Sequence, residues 1–145
     1  MAAELAADLV SGWNGTTFTV RKTLFVAGKK FDGFVLHVHY GDNYGFPACN
    51  DTAPGKCEGF TKPFRTFTPH TDLMGIAVRS GTLHLTSFAG PKGKGPGGEV
   101  FTLCLNSSVL KPLLKGFVAP VVGLGLHHGY VYVGELTGQM FRVRV

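Results

Sequence analysis

The chain has 145 residues, of which 44% are hydrophobic and only 16% are charged, so it has the length and apolar content of one domain with a substantial core. Its 21 glycines, 8 prolines and 12 phenylalanines favour short strands joined by tight turns over long helices. The net charge is +5, but the basic residues are dispersed rather than gathered into a patch, which argues against nucleic-acid binding.

The N-terminal residues 1–10 favour a short helix. They contain Glu4 and Asp8 and lack a basic start followed by an apolar stretch, so they do not form a secretory signal peptide. No apolar run reaches the roughly 18 residues that cross a membrane, and no membrane span is expected.

Two stretches in the first third of the chain predict strands, namely residues 16–27 and 34–40. His37 and His39 share one face of the second stretch, because side chains two residues apart in a strand point the same way. The pair could hold a metal ion with a third ligand, although the polar face of a half-buried strand is the simpler interpretation. The opposite face is apolar and consists of Phe34, Leu36, Val38 and Tyr40.

Asp42 and Asn43 follow this strand. Their side-chain oxygens, together with backbone carbonyls, could bind calcium. A role in the bend before Tyr44 is the competing interpretation, because Asp and Asn side chains also bond to nearby backbone amides in turns.

The three cysteines are an odd number and match no standard zinc spacing. Cys49 and Cys57 bracket a short polar loop that could close into a disulfide in an oxidising compartment. Cys104 lies within an apolar run and is expected to be a core thiol. The cysteine pair indicates an extracellular or secretory origin, whereas the missing leader in this chain argues against it.

An internal repeat dominates the second half of the chain. Residues 75–90 and 99–105 match residues 123–138 and 139–145, with an insertion at 91–98 in the first copy. Each copy shows three alternating apolar stretches separated by glycine turns, which is the pattern of an antiparallel meander. Residues 64–67 and 113–118 lie where fourth strands are expected.

The fold predicted from this repeat is all-β, with β-propeller-type antiparallel meander blades in a partial propeller of about three blades. Propellers typically close with four to eight blades. The chain is therefore part of a longer product, pairs with another copy, or forms a compact sandwich, and the sequence leaves these three alternatives open.

His70, followed by Asp72, is the leading candidate for chemistry, because it stands at the entrance to a blade, where propeller loops gather around the central site. It would act as a general base on a substrate hydroxyl. The other histidines of the repeat are interpreted as structural: His84 faces away from the core leucines, and His127 and His128 point to opposite faces.

Several segments share a characteristic order and spacing, namely Asn43-Tyr44-Gly45-Phe46-Pro47, the two cysteines that follow, 69–76, 119–123 and 130–143. Together they resemble the C-terminal part of the glucose/sorbosone dehydrogenase family. The resemblance covers residues 41–145, and residues 1–40 show no clear match.

The resemblance implies a six-bladed propeller that oxidises a small sugar, with pyrroloquinoline quinone (PQQ) receiving the hydride and calcium helping to hold the quinone. Two departures favour an incomplete or inactive member. The family's histidine base lies upstream of anything that aligns here, and residues 117–120 lack the arginine that some members use to bind the quinone. The alternative is a non-catalytic propeller module that binds a protein or a glycan.

Overall fold

The computed structural model describes residues 15–20, 23–28, 33–45, 57–67, 71–90 and 97–145. Within these ranges the chain forms eleven strands and no helix. Sheet 1 contains β1 (Gly15–Val20), β2 (Thr23–Gly28), β3 (Gly33–Val38) and β4 (Arg65–Phe67). Sheet 2 contains β5 (Leu73–Arg79), β6 (Thr82–Ser87), β7 (Val100–Cys104) and β8 (Leu110–Leu114). Sheet 3 contains β9 (Val121–His127), β10 (Tyr130–Glu135) and β11 (Met140–Arg144).

Each sheet is an antiparallel meander in which consecutive strands are neighbours. The first strands of the three sheets lie side by side, with β5 contacting both β1 and β9. Three antiparallel meanders that contact each other through their first strands confirm the predicted all-β, propeller-type arrangement of about three blades. Among the described residues, no helix is long and apolar enough to cross a membrane.

The repeat in the sequence corresponds to the same hairpin in sheets 2 and 3. The turn residues Ser80 and Gly81 have φ values of 47° and 74°, and His128 and Gly129 have values of 43° and 83°. Positive φ at both central positions gives the type I′ turn, whose twist matches that of the flanking strands.

Two apolar clusters hold the sheets together. The first joins sheets 1 and 2 and consists of Val35, Phe67, Leu73, Ile76, Leu83, Leu85 and Leu103. The second joins sheets 2 and 3 and consists of Val100, Val121, Val131 and Val133. Sheet 2 is therefore buried on both faces, and β7 supplies Leu103 to the first cluster and Val100 to the second.

Gly75 sets the distance between sheets 2 and 3. A Cβ atom at this position would lie 2.8 Å from the Cβ of Leu124 on β9 and 2.8 Å from Oγ1 of Thr86 on β6. Both distances are shorter than real Cβ atoms adopt, so the glycine permits a close approach of β5 and β9.

The structure differs from the sequence prediction in several strand boundaries. The strand expected over residues 34–40 ends at Val38, and Tyr40 lies in the following turn with 90% of its surface exposed. The fourth strand expected over 113–118 is β8, which begins at Leu110 and ends before Gly116, where φ is +86°. The division of the chain into residues 1–40, which have no family match, and 41–145, which resemble the family, stays a prediction. The strands β3 and β4, on either side of residue 40, are paired in one sheet.

Candidate functional site

The loop after β3 is organised around the carboxylate of Asp42. Its Oδ2 accepts hydrogen bonds from the His39 amide at 2.8 Å and from the Tyr44 hydroxyl at 3.1 Å. The Tyr44 hydroxyl also lies 2.9 Å from the backbone oxygen of His37, and Nδ1 of His39 lies 3.4 Å from Oδ2 of Asp42. These contacts join the end of the strand to the loop.

The pKa values in this loop are shifted by its hydrogen bonds and by burial. The His39 backbone amide, and then the Tyr44 hydroxyl, lower the pKa of Asp42 and keep its carboxylate ionised. Burial, and then the Asp42 carboxylate, raise the pKa of Tyr44. Burial and the neighbouring His39 lower the pKa of His37, although Asp42 opposes the shift.

The side chains proposed for calcium binding are engaged in turn contacts. Oδ1 of Asn43 accepts a hydrogen bond from the backbone N–H of Gly45 at 2.8 Å, as in an Asx turn. The backbone N–H of Asn43 donates to Oγ1 of Thr61 at 3.2 Å. Among the described residues, no group of three or more His, Cys, Asp or Glu side chains is arranged to hold a metal ion. Oδ2 of Asp42 and Oδ1 of Asn43 thus accept hydrogen bonds within the turn, and calcium binding at Asp42 and Asn43 stays a prediction.

The leading catalytic candidate, His70, lies outside the described residues. Asp72 lies directly before β5, and its backbone oxygen accepts a hydrogen bond from the Phe88 amide at 2.7 Å. Because Gly33 at the start of β3 pairs with Phe67 at the end of β4, the last residues of β3 and of β4 lie at opposite ends of sheet 1.

Cys57 and Cys104 differ in their bonding state. Cys57 is disulfide-bonded, whereas Cys49, its predicted partner, lies outside the described residues, and the pairing stays a prediction. Cys104 is a free thiol at the end of β7. It is half-buried rather than in the core, because the strand ends there, and a hydrogen bond with the Ser107 side chain lowers its pKa.

Three histidines of the repeat have clear positions. His84 faces away from the leucine cluster, as predicted, but it is buried between sheets 2 and 3, with only 3% of its surface exposed. Burial, and then Arg79, lower the pKa of His84. The rings of His127 and His128 form an edge contact at 4.0 Å instead of pointing apart, because His128 has turned to positive φ.

Sheet 3 carries a platform of aromatic and basic side chains that sequence reasoning missed. The platform comprises one face of β9, β10 and β11, opposite the valine cluster. Strand register places Tyr130 between His127 and Arg144, and Tyr132 between Gly125 and Arg142. We call this surface, formed by His127, Tyr130, Tyr132, Arg142 and Arg144, the tyrosine–arginine face.

Within the tyrosine–arginine face, the two rings and one guanidinium are in contact. The guanidinium carbon of Arg142 lies 5.1 Å from the centroid of the Tyr130 ring, and the rings of Tyr130 and Tyr132 are 6.4 Å apart. Gly125 adds no side chain beside Tyr132, and nothing within the described residues lies within 4 Å of where its Cβ would be. The signal in the sequence was the pair of alternations Tyr-x-Tyr and Arg-x-Arg, but only register shows that they share a face.

Comparisons with known proteins support the architecture. No protein-family model matches the chain, and no curated protein matches it. The chain is similar to the crystal structure of the computationally designed Ika4 protein, with a TM-score of 0.57 and 10% sequence identity. The match covers 89% of this chain and 64% of that chain, so this chain spans less than two thirds of the designed protein. At this identity the likeness shows the fold alone.

Proposed function

We propose that the chain is a propeller-type binding module that recognises an acidic polypeptide through the tyrosine–arginine face. The observation that carries the proposal is the juxtaposition of two tyrosine rings with two arginines on one side of sheet 3. Tyrosine and arginine are enriched at protein interfaces, where an apolar ring and a planar cation supply contact area together with directional hydrogen bonds.

The charge of this face selects for an anionic partner. Arg142 and Arg144 are exposed, and no carboxylate of the described residues forms an ion pair with either of them. A sheet face that is exposed to water needs polar side chains to stay soluble, and lysine or glutamate would meet that need. The two tyrosine rings supply more than solubility requires, because they add apolar contact area beside the arginines.

Binding of fluorescent poly-L-glutamate, followed by anisotropy at low and physiological salt, tests the proposal. Arg142→Gln/Arg144→Gln should weaken binding about tenfold, and Tyr132→Ala should weaken it by a smaller factor. The matched control is Lys111→Gln/Lys115→Gln, which removes two exposed charges from sheet 2 and its adjoining loop and should leave the affinity unchanged. Equal affinities for the two double variants, or no binding to the wild type, would refute the proposal. Tighter binding to heparin than to poly-L-glutamate would favour a glycan instead.

The resemblance to the glucose/sorbosone dehydrogenases supports a second proposal, a PQQ-dependent sugar dehydrogenase. The specific observation in its favour is the row of meander blades, which is the architecture that the family implies. The test is a titration of the chain with PQQ in calcium, followed by quinone absorbance and then by dye reduction with aldoses. Saturable binding with turnover would support the enzyme. No binding would leave the binding module as the account of this chain.

A further inference from the structure

The outer edges of the three sheets differ in how they are protected. β4 is only three residues long, and β8 contains Pro112, which has no backbone N–H to offer. Short strands and prolines are common devices that prevent an edge from pairing with another chain. β11 is five residues long and contains no proline, and it is the last strand of a three-stranded sheet beside two four-stranded ones.

Among the described residues, no strand pairs with the outer side of β11. The backbone groups on that side follow from the hydrogen bonds on its inner side. The Val145 amide donates to the Gly129 oxygen at 2.8 Å, and the Glu135 amide donates to the Gln139 oxygen at 2.9 Å. Because the bonding direction alternates along a strand, the odd-numbered residues of β11 bond to β10. The N–H and C=O groups of Met140, Arg142 and Arg144 therefore point away from the sheet.

Apolar side chains are exposed on β11 and in the loop before β9. The exposed fraction is 40% for Phe141, 73% for Met140 and 71% for Val118. The ring of Phe141 lies edge-on to that of Phe117 at 5.3 Å, on the side of the sheet that faces the valine cluster. In sheet 2, β8 covers the corresponding flank of β7, with Leu113 and Leu114 packed against the same cluster.

We propose that β11 accepts, as a fourth strand, an extended partner segment in which acidic and apolar side chains alternate. This inference rests on the proposed function and specifies how the acidic polypeptide is held. Side chains of an added strand alternate between faces, so its apolar residues would lie beside Phe141 and Val143, and its acidic residues would lie beside Arg142 and Arg144. The backbone groups of β11 would supply the hydrogen bonds.

The charge of β11 also decides against a second copy as the occupant. An antiparallel pair of two β11 strands on a two-fold axis would bring Arg142 and Arg144 of one copy beside the same residues of the other. Like charges on neighbouring strands destabilise a sheet, whereas opposite charges stabilise it. The occupant is therefore an acidic segment rather than a second copy of β11.

The test uses a blocked, fluorescent octapeptide of alternating glutamate and valine, with a peptide of four glutamates followed by four valines as the composition control. The wild-type chain should bind the alternating peptide at least tenfold more tightly than the block peptide. A version N-methylated on one side of its backbone should lose binding, because the hydrogen bonds of the added strand are removed.

Two substitutions of Met140 distinguish the contribution of its backbone N–H to binding from that of its side chain. Met140→Pro removes an outward N–H at the first position of the strand, where proline is tolerated, and should weaken binding about fivefold. Met140→Ala keeps the N–H and also removes the Met140 side chain, so it is the reference against which the loss of binding in Met140→Pro is measured. Circular dichroism melting of both variants verifies that they are folded, and sedimentation verifies that the wild type does not dimerise through this edge.

The outcomes distinguish this inference from the proposed function. Equal binding by Met140→Pro and Met140→Ala, or equal affinity for the alternating and block peptides, overturns strand addition. The proposed function would survive that result if Arg142→Gln/Arg144→Gln still weakened binding of poly-L-glutamate. Dimerisation of the wild type that is lost in Met140→Pro would overturn the choice of partner in favour of a second copy.

Discussion

Replacing Gly75 by alanine tests the packing of sheets 2 and 3 directly. The added Cβ would lie 2.8 Å from the Cβ of Leu124, about 0.7 Å short of an optimal carbon–carbon contact. It would also lie 2.8 Å from Oγ1 of Thr86, which accepts a hydrogen bond from the Gly75 amide. Thr86 is fully buried, so its side chain cannot move aside without losing that bond.

The expected cost combines two effects. Overpacking of a core typically costs 1–3 kcal/mol, and a weakened buried hydrogen bond adds about 1 kcal/mol, so Gly75→Ala should lower the free energy of unfolding by about 2–4 kcal/mol. Urea denaturation followed by circular dichroism measures this as a lower midpoint with an unchanged slope.

The matched control is Gly125→Ala, in the middle of β9. No heavy atom lies within 4 Å of the Cβ that this change would add. Because alanine restricts the unfolded chain more than glycine does, the variant should be neutral or more stable by up to about 1 kcal/mol. If Gly75→Ala and Gly125→Ala unfolded at the same urea concentration, the close approach of β5 and β9 would be refuted.

Three further changes probe buried and charged groups. Because the pKa of His84 is lowered, the unfolded chain binds more protons, so the free energy of unfolding should fall as pH drops below about 6.5; His84→Leu should flatten that slope in urea titrations between pH 5 and 8. Because the pKa of Asp42 is also lowered, its stabilisation is present above pH 4 and lost as pH falls further, and Asp42→Asn should remove this acid-dependent part of the melting temperature. Glu135→Ala removes the acceptor for the Val118 amide and the Thr137 hydroxyl and should cost about 1–3 kcal/mol by urea denaturation, whereas Thr137→Val should cost less.

The repeat carried most of the fold prediction. Period-two alternation and the turn glycines at 81 and 129 located the hairpins, because both signals depend on neighbouring residues. The end of β3 was missed because Tyr40 continues the alternation of the strand, although a bend formed by Asp42 ends the strand two residues earlier. Local competition between a turn and a strand is invisible to periodicity alone.

The candidate site was less accessible from the sequence, because it depends on pairing across strands. Tyr130 and Arg144 are directly opposite each other only in the observed register of β10 and β11, and a one-residue slip would separate them. His84 could be assigned to the face away from the leucines, but its burial depends on how closely sheet 3 approaches sheet 2. That approach is set by Gly75, which the sequence presented as an ordinary turn or strand glycine.

The two interfaces of sheet 2 differ in polarity. This difference determines which neighbouring sheet detaches from sheet 2 first. The side toward sheet 1 presents leucines such as Leu83 and Leu85, whereas the side toward sheet 3 includes the polar side chains of His84 and Thr86. Detaching sheet 3 therefore exposes less buried apolar surface to water than detaching sheet 1 does. Amide hydrogens of β9 to β11 should exchange through partial opening before those of β6 and β7, which makes the blade that carries the tyrosine–arginine face more adaptable than sheet 2.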